Sequence, residues 1–219
     1  MFRYFNKHTV AGNNKSGIYK IRPRASNKPF MVLCDLESRG GGWTHIQKRF
    51  DGSQDFFLNW RDYKFGFGDL DGEFWLGLEH IYLTIGFEVN ELLVEITDRD
   101  NKQAYAHYKV FGIGSEADGY PLNSLSVFTG DAGDSLVQHL GMKFSTQDFD
   151  QDAHEGNCAQ MFAGGWWYKG CHVSNLNGKF INAVLPKAYK YQGIHWLTYR
   201  GHEYCHSKVR MLVRPARHT

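Results

Sequence analysis

Apolar and polar positions alternate most clearly at the C-terminal end of the chain. Val209, Met211 and Val213 fall on one side and Arg210, Leu212 and Arg214 on the other, the pattern of a half-buried strand. Further strand-like segments occupy 16–22, 30–35, 43–50, 91–98 and 104–111. Short helices are predicted at 59–63, 77–83 and 134–140, the last capped by Asp134 or Ser135. Glycine punctuates the chain throughout, as in Gly40-Gly41-Gly42 and Gly112-Ile113-Gly114, which indicates tight turns rather than long helices. Beyond about residue 140 the periodicity fades, and the stretch to roughly 204 reads as ordered loop, a length usually tied to function. The pattern predicts an α+β fold: an antiparallel sheet with short helices and a loop-rich lobe. One domain spans 1–219, with an N-terminal part near 1–40, a central sheet from 41–115 plus 206–219, and a binding lobe at 116–205.

Composition narrows the class. The 219 residues are 42% hydrophobic and 22% charged, enough for a substantial core. Aromatic residues reach 16%; much of this is packing, and some could line a surface pocket, since Tyr and Trp join an apolar body to a polar tip. A net charge of +2 without a Lys/Arg run excludes a nucleic-acid partner. No apolar stretch reaches membrane-spanning length, so membrane insertion is not expected, and no secretory signal is present. The opening Met-Phe-Arg-Tyr-Phe-Asn-Lys reads as the trimmed edge of a longer protein. Four cysteines, Cys34, Cys158, Cys171 and Cys205, form no Cys-x-x-Cys pair, which argues against structural zinc and fits a secreted, disulfide-bearing domain. The sequon Asn14-Lys15-Ser16 points to the same extracellular compartment.

The densest chemistry lies between Asp148 and Cys171. Asp148, Asp150 and Asp152 alternate, so extended backbone would set their side chains on one face. Carboxylates this close repel, and a hard cation such as calcium relieves them because it takes several oxygen ligands at once. An EF-hand is excluded: counted from Asp148, the required Gly and Glu positions hold Ala153 and Ala159. Without a cation the same residues would form a solvated acidic turn.

Runs spread along the chain then coincide with a known family. They include Ser16-Gly17-Ile18-Tyr19-Lys20-Ile21, Val32-Leu33-Cys34-Asp35, Gly40-Gly41-Gly42-Trp43-Thr44 and Asp51-Gly52-Ser53. Gly72-Glu73-Phe74-Trp75-Leu76-Gly77-Leu78, Ala132-Gly133-Asp134-Ser135-Leu136 and Phe144-Ser145-Thr146 follow, and then Asn157-Cys158-Ala159, Gly164-Gly165-Trp166-Trp167-Tyr168 and Ser174-Asn175-Leu176-Asn177-Gly178. In this order the chain resembles the fibrinogen C-terminal globular domain shared by ficolins, tachylectins, angiopoietins and tenascins. The resemblance implies a calcium site made by the side chains of Asp150 and Asp152 and the carbonyls of His154 and Gly156, with Asp148 in support. It also implies a Cys158–Cys171 bridge, worth about 3 kcal/mol by loop-closure entropy. A cis peptide at Gly170–Cys171 would aim the amides of Cys171 and His172 at a pocket.

The pocket walls implied by the resemblance fall at Phe162, Tyr189, Tyr191 and His202, and they depart from the lectin pattern. Phe162 and His202 replace tyrosines, Lys190-Tyr191 replaces an aromatic-Ala pair, and the loop carrying Pro186 is two residues longer. Met161 and Phe162 also replace the acid and amide of fibrinogen's peptide-binding hole. These aromatics could equally serve as loop packing. The family partner of Cys34 lies upstream, where this chain has no cysteine, and Cys205 stands at a usual serine. The two are expected to pair with each other, the alternative being partners outside the chain. Gly133-Asp134-Ser135-Leu136 matches an esterase nucleophile block, but no Asp-x-x-His supplies the base, and no zincin or phosphate-loop motif is present. The chain is therefore read as a non-enzyme. Its expected role is calcium-dependent recognition of a glycan or an acetylated or acidic surface ligand, as in innate-immune lectins. The alternative is binding of a protein receptor. A homo-oligomer through an upstream stem would multiply weak sites.

Overall fold

The structure, a computed structural model, describes residues 15–86, 88–181 and 187–216. Asn14 of the sequon and Pro186 of the longer loop lie outside them. The strands are β1 (Gly17–Ile21), β2 (Phe30–Asp35), β3 (Trp43–Arg49), β4 (Phe67–Gly68), β5 (Phe74–Trp75), β6 (Asn90–Thr97), β7 (Gln103–Ile113), β8 (Leu122–Leu125), β9 (Phe128–Thr129), β10 (Ser174–Asn175), β11 (His195–Trp196) and β12 (Lys208–Pro215). The helices are α1 (Trp60–Phe65), α2 (Leu78–Ile85) and α3 (Cys158–Phe162). One antiparallel sheet runs in the order β1-β2-β3-β12-β6-β7-β8, with β4, β5 and β9 paired at its flanks. The last long strand thus enters the middle of the sheet, between β3 and β6.

That placement changes the reading of the alternating segment. Val209, Met211 and Val213 enter the main core, but Leu212 on the opposite face is buried too, with Trp43 and Leu93. A strand at the centre of a sheet is covered on both sides where aromatic and cationic side chains reach across, here with Arg214 over Trp43 at 4.0 Å.

The expected helix at 134–140 is corrected to a single 3-10 turn, Val137–His139. Its cap is as expected, since Asp134 Oδ1 accepts from Leu136 N and Val137 N at 2.9 and 3.0 Å. The turn does not propagate, because Leu140 is extended and Gly141 has φ +83°. The five-residue α3 has no counterpart in the apolar pattern. Asn157 caps it, accepting from Gln160 N at 2.9 Å.

The loop lobe is fixed to the sheet by side chains of β3. Gln47 Nε2 donates to Leu176 O at 2.7 Å, and Arg49 Nη1 donates to Gly178 O at 2.9 Å. Arg49 is buried, and its counter-charge is Glu73, 3.7 Å away and equally buried. Glu73 in turn accepts from the backbone N–H groups of Phe50, Asp51, Gly52 and Gln54. Gly165 is required where the lobe crosses the core, because a Cβ there would lie 2.7 Å from the Tyr63 ring and 2.8 Å from that of Phe144.

Removing one member of such a buried pair leaves the other charge uncompensated, so Glu73→Ala is expected to lower unfolding stability by about 3–5 kcal/mol in urea titrations. A loss below about 1 kcal/mol, the scale of an exposed pair, would contradict the junction described.

Buried histidines set the acid response. Burial holds His45 and His195 at about 3 and His139 and His206 at about 4, below the ordinary value near 6.5. Each binds its proton more weakly folded than unfolded. The stability they contribute is present above about pH 6.5 and is lost as pH falls from there through about 4 for His139 and His206 and about 3 for His45 and His195. The urea midpoint should therefore be lower at about pH 5 than at about pH 7.5, and an equal or higher midpoint at pH 5 would refute this.

Candidate functional site

The acidic turn forms as an interlocked set of side-chain-to-backbone bonds. Asp150 Oδ1 accepts from Asp152 N at 3.1 Å. Asp152 accepts from His154 N at 2.8 Å through Oδ1 and from Cys158 N at 2.9 Å through Oδ2. Asp148 Oδ1 accepts from Trp60 N, at the start of α1, at 2.8 Å and from Thr146 Oγ1 at 2.7 Å. His154 Nδ1 lies 3.0 Å from Gly156 N and 3.1 Å from Gly156 O. It cannot serve both at once, so when it accepts from the N–H the Gly156 carbonyl keeps its lone pairs.

The electrostatics of the turn are unbalanced. Partial burial pushes the Asp152 carboxyl above its ordinary value, and the facing Asp150 carboxyl pushes the same way, against the two backbone N–H donors. No ion pair among the described residues includes Asp150 or Asp152. Two carboxylates and the His154 and Gly156 carbonyls on one short turn, with the acids' repulsion unrelieved, fit a hard oxygen-seeking cation. His154, Cys158 and Cys171 also approach one another, but the two sulfurs are bonded to each other and offer no thiolate.

The turn is coupled to the chain opposite. Cys158 and Cys171 are bridged, with Cα atoms 5.6 Å apart, and Ala153 N donates to Lys169 O at 2.9 Å. The Gly170–Cys171 peptide is cis, as the resemblance implies.

Four of the expected pocket residues converge beyond that peptide. The Phe162 ring meets His172 edge-on at 4.4 Å, and Tyr191, with φ +66°, packs against His202 at 5.2 Å. His195 on β11 joins them and was not anticipated. Its Nε2 lies 3.1 Å from His172 Nδ1, and its ring is 5.4 Å from that of His202. The signal available in the sequence was the recurrence of His172, His195 and His202 within a short span. Tyr189 does not join this group. It sits 4.6 Å under Lys179 Nζ and lines a separate cavity of about 450 Å³ with Arg49, Phe56 and Phe180.

The expected Cys34–Cys205 pair does not form, and both are buried free thiols. Cys34 on β2 aligns with Thr44, which aligns with Val213 near the end of β12, whereas Cys205 precedes Lys208 at that strand's start. Five strand residues separate those positions by roughly 16 Å, far beyond the roughly 7 Å a disulfide tolerates. Burial drives the Cys34 thiol up to about 12, so it stays protonated.

With this geometry in view, comparison with known proteins is specific. The family described as fibrinogen beta and gamma chains, C-terminal globular domain, matches residues 2–216. Fibrinogen C domain-containing protein 1 of Mus musculus is 43% identical over 213 residues, covering 95% of this chain and 46% of that protein. Angiopoietin-related protein 1 of Bos taurus is 46% identical over 205 residues, covering 94% and 42%. The chain thus spans less than half the length of these curated relatives. Among solved structures, the fibrinogen-like globe domain of human ANGPTL2 superposes with a TM-score of 0.91 at 42% identity, over 94% of this chain and 95% of that one. The lamprey fibrin D-dimer complexed with the peptide Gly-His-Arg-Pro-amide gives 0.87 at 36% identity, over 95% and 71%. Sequence, fold and the bridged acidic turn agree that the chain belongs to the fibrinogen C-terminal globular domain family.

Proposed function

We propose that this recognition domain, which is not an enzyme, works outside the cell by docking a protein receptor on a surface braced by calcium. The observation that carries the reading is the acidic turn: Asp150 and Asp152 face each other without a basic partner and are tied through Cys158 and Lys169 to the segment holding Cys171 and His172. Calcium would be held by the Asp150 and Asp152 side chains with the His154 and Gly156 carbonyls. It would neutralise the acids, so that the turn holds its shape and the 169–172 segment with it. No helix among the described residues is long and apolar enough to cross a membrane.

A protein partner is favoured over a glycan by what surrounds the turn. Phe149 and Met161 are 45% and 38% exposed beside it, apolar surface of the kind that protein interfaces cover. Phe162 packs its edge on His172 and Tyr191 packs on His202, so side chains meet where a methyl-accepting cavity would need space. The angiopoietin-related relatives favour the same reading. Calcium-dependent binding of a glycan or acetylated ligand, in the manner of innate-immune lectins, remains the second reading, carried by the amides of Cys171 and His172 beside the cis peptide. Either mode gains from a homo-oligomer built through chain outside this domain, since the relatives are more than twice as long.

Binding of the chain to intact cells and to a glycan array, each in calcium and in chelator, tests this. Cell binding should be saturable, abolished by protease treatment of the cells, and weakened at least about tenfold by chelator and by Asp152→Asn, with a blank array. Binding indifferent to chelator would overturn the calcium brace. Calcium-dependent capture of defined sugars would overturn the protein reading in favour of the lectin one.

A further inference from the structure

Arg49 is only 2% exposed, yet much of its guanidinium lacks a partner. Its hydrogen bonds run through Nη1 alone, to Gly178 O at 2.9 Å and Leu176 O at 3.4 Å. Nε is buried without a hydrogen-bond partner, and Nη2 donates to no group among the described residues. Glu73 comes no nearer to Nε than 3.7 Å, because its oxygens already accept from the N–H groups of Phe50, Asp51, Gly52 and Gln54. Burial pushes the Arg49 guanidinium below its ordinary value, and Glu73 only opposes that shift. Buried donors normally find acceptors, and a buried cation with unmet N–H groups calls for an explanation.

The guanidinium lies on the cavity of about 450 Å³ that Tyr189 lines. Its Cζ stacks 3.7 Å from the centre of the Phe56 ring. Phe180 gives a further aromatic wall, set so closely on the chain that a Cβ at Gly52 would lie 2.7 Å from it. Lys179 Nζ stands 4.6 Å over the Tyr189 ring, and Lys179 enters no ion pair among the described residues. Asp55 is the acid on this lining, and its Oδ1 accepts from Phe57 N at 2.9 Å. Aromatic walls with a few convergent polar groups, around a volume of this size, are the makings of a small-ligand site.

We propose that this cavity binds a carboxylate carried on an aromatic group, either a free small acid or the C-terminus of a polypeptide, at a place distinct from the calcium-braced surface. The carboxylate accepts from Arg49 Nη2, the part of the guanidinium that the lobe junction does not use, in a charge-assisted bond made inside a buried site. Lys179 supplies the second positive charge from the exposed side. The aromatic body packs with Phe180 and Tyr189, rings that meet another ring well at an offset or an edge. Charge sets the class of anion. Glu73 already balances part of Arg49, and Asp55 stands on the lining, so a single negative charge is accommodated where a phosphate dianion would be repelled.

Titration of the isotope-labelled chain with N-acetylphenylalanine, followed by amide chemical shifts in saturating calcium, tests the site. Binding should saturate, with the shifts concentrated in 52–56 and 178–181. The amide of the same compound should bind at least about tenfold more weakly, and so should the acid to Lys179→Glu, whereas Asp152→Asn should leave binding unchanged. Arg49→Gln should remove binding; should it fail to fold, the acid–amide pair and Lys179→Glu, on an exposed side chain, decide. A short peptide ending in free phenylalanine separates the two sources: competition at least as strong as that of the small acid supports a polypeptide C-terminus, and weaker competition supports a free acid. Absence of saturable binding, equal binding of acid and amide, or undiminished binding by Lys179→Glu would overturn the proposal.

Discussion

Two carboxylates, Asp150 and Asp152, face one another on a short turn, in no ion pair among the described residues, and burial and mutual repulsion raise the Asp152 carboxyl above its ordinary value. The turn is not isolated. Asp152 holds the first amide of α3 at Cys158, Cys158 is bridged to Cys171, and the carbonyl just before that segment, on Lys169, accepts from Ala153 within the turn. Charge, bridge and backbone bond close a ring, so a cation bound at one point of it would constrain the 169–172 segment at another. Partly buried acids cost more to leave unneutralised than exposed ones, so an ion bound at this turn would act on more of the loop region than the turn itself.

The sheet supplies the fixed reference for that body. The lobe is positioned by β3 side chains reaching out of the sheet, Gln47 and Arg49, onto the carbonyls of Leu176 and Gly178. Glu73 does double duty there, balancing Arg49 while gathering the N–H groups of the chain just beyond β3. Under this junction lies an aromatic core in which Tyr63, Trp75, Phe144 and Trp167 meet mostly at steep or tilted angles. The approach is close enough that Gly165 leaves no space for a methyl group. A rigid platform carrying a loop-built surface is how many folds keep architecture constant while altering what they bind.

The long strands were legible in the sequence because alternation is a local signal, and the segments at 30–35, 43–50 and 104–111 all appear with boundaries shifted by at most two residues. What was not legible depended on distant chain. Leu212 reads as solvent-facing until β12 is known to lie between β3 and β6. Asp134 caps as expected, yet the turn stops because Leu140 and Gly141 leave helical geometry. The two-residue strands β10 and β11 are too short to carry a period. In the site, the Cys158–Cys171 bridge and the cis peptide, both implied by the family resemblance, are present. His195 was missed because a single histidine between Ile194 and Trp196 has no pattern of its own, and Tyr189 was misplaced because nothing local says which side of the lobe it joins. The Cys34–Cys205 pairing failed on a distance along β12 that only the register reveals.

The proposal that calcium sets the shape of this surface can be tested by measuring amide hydrogen exchange with calcium and with chelator. The account predicts that calcium slows exchange across 150–158 and 169–173 together while leaving β3, β6 and β12 unaffected, since the sheet owes its stability to burial and the lobe to charge compensation. Exchange that is unchanged by calcium in both segments, or slowed equally across the whole chain, would contradict it.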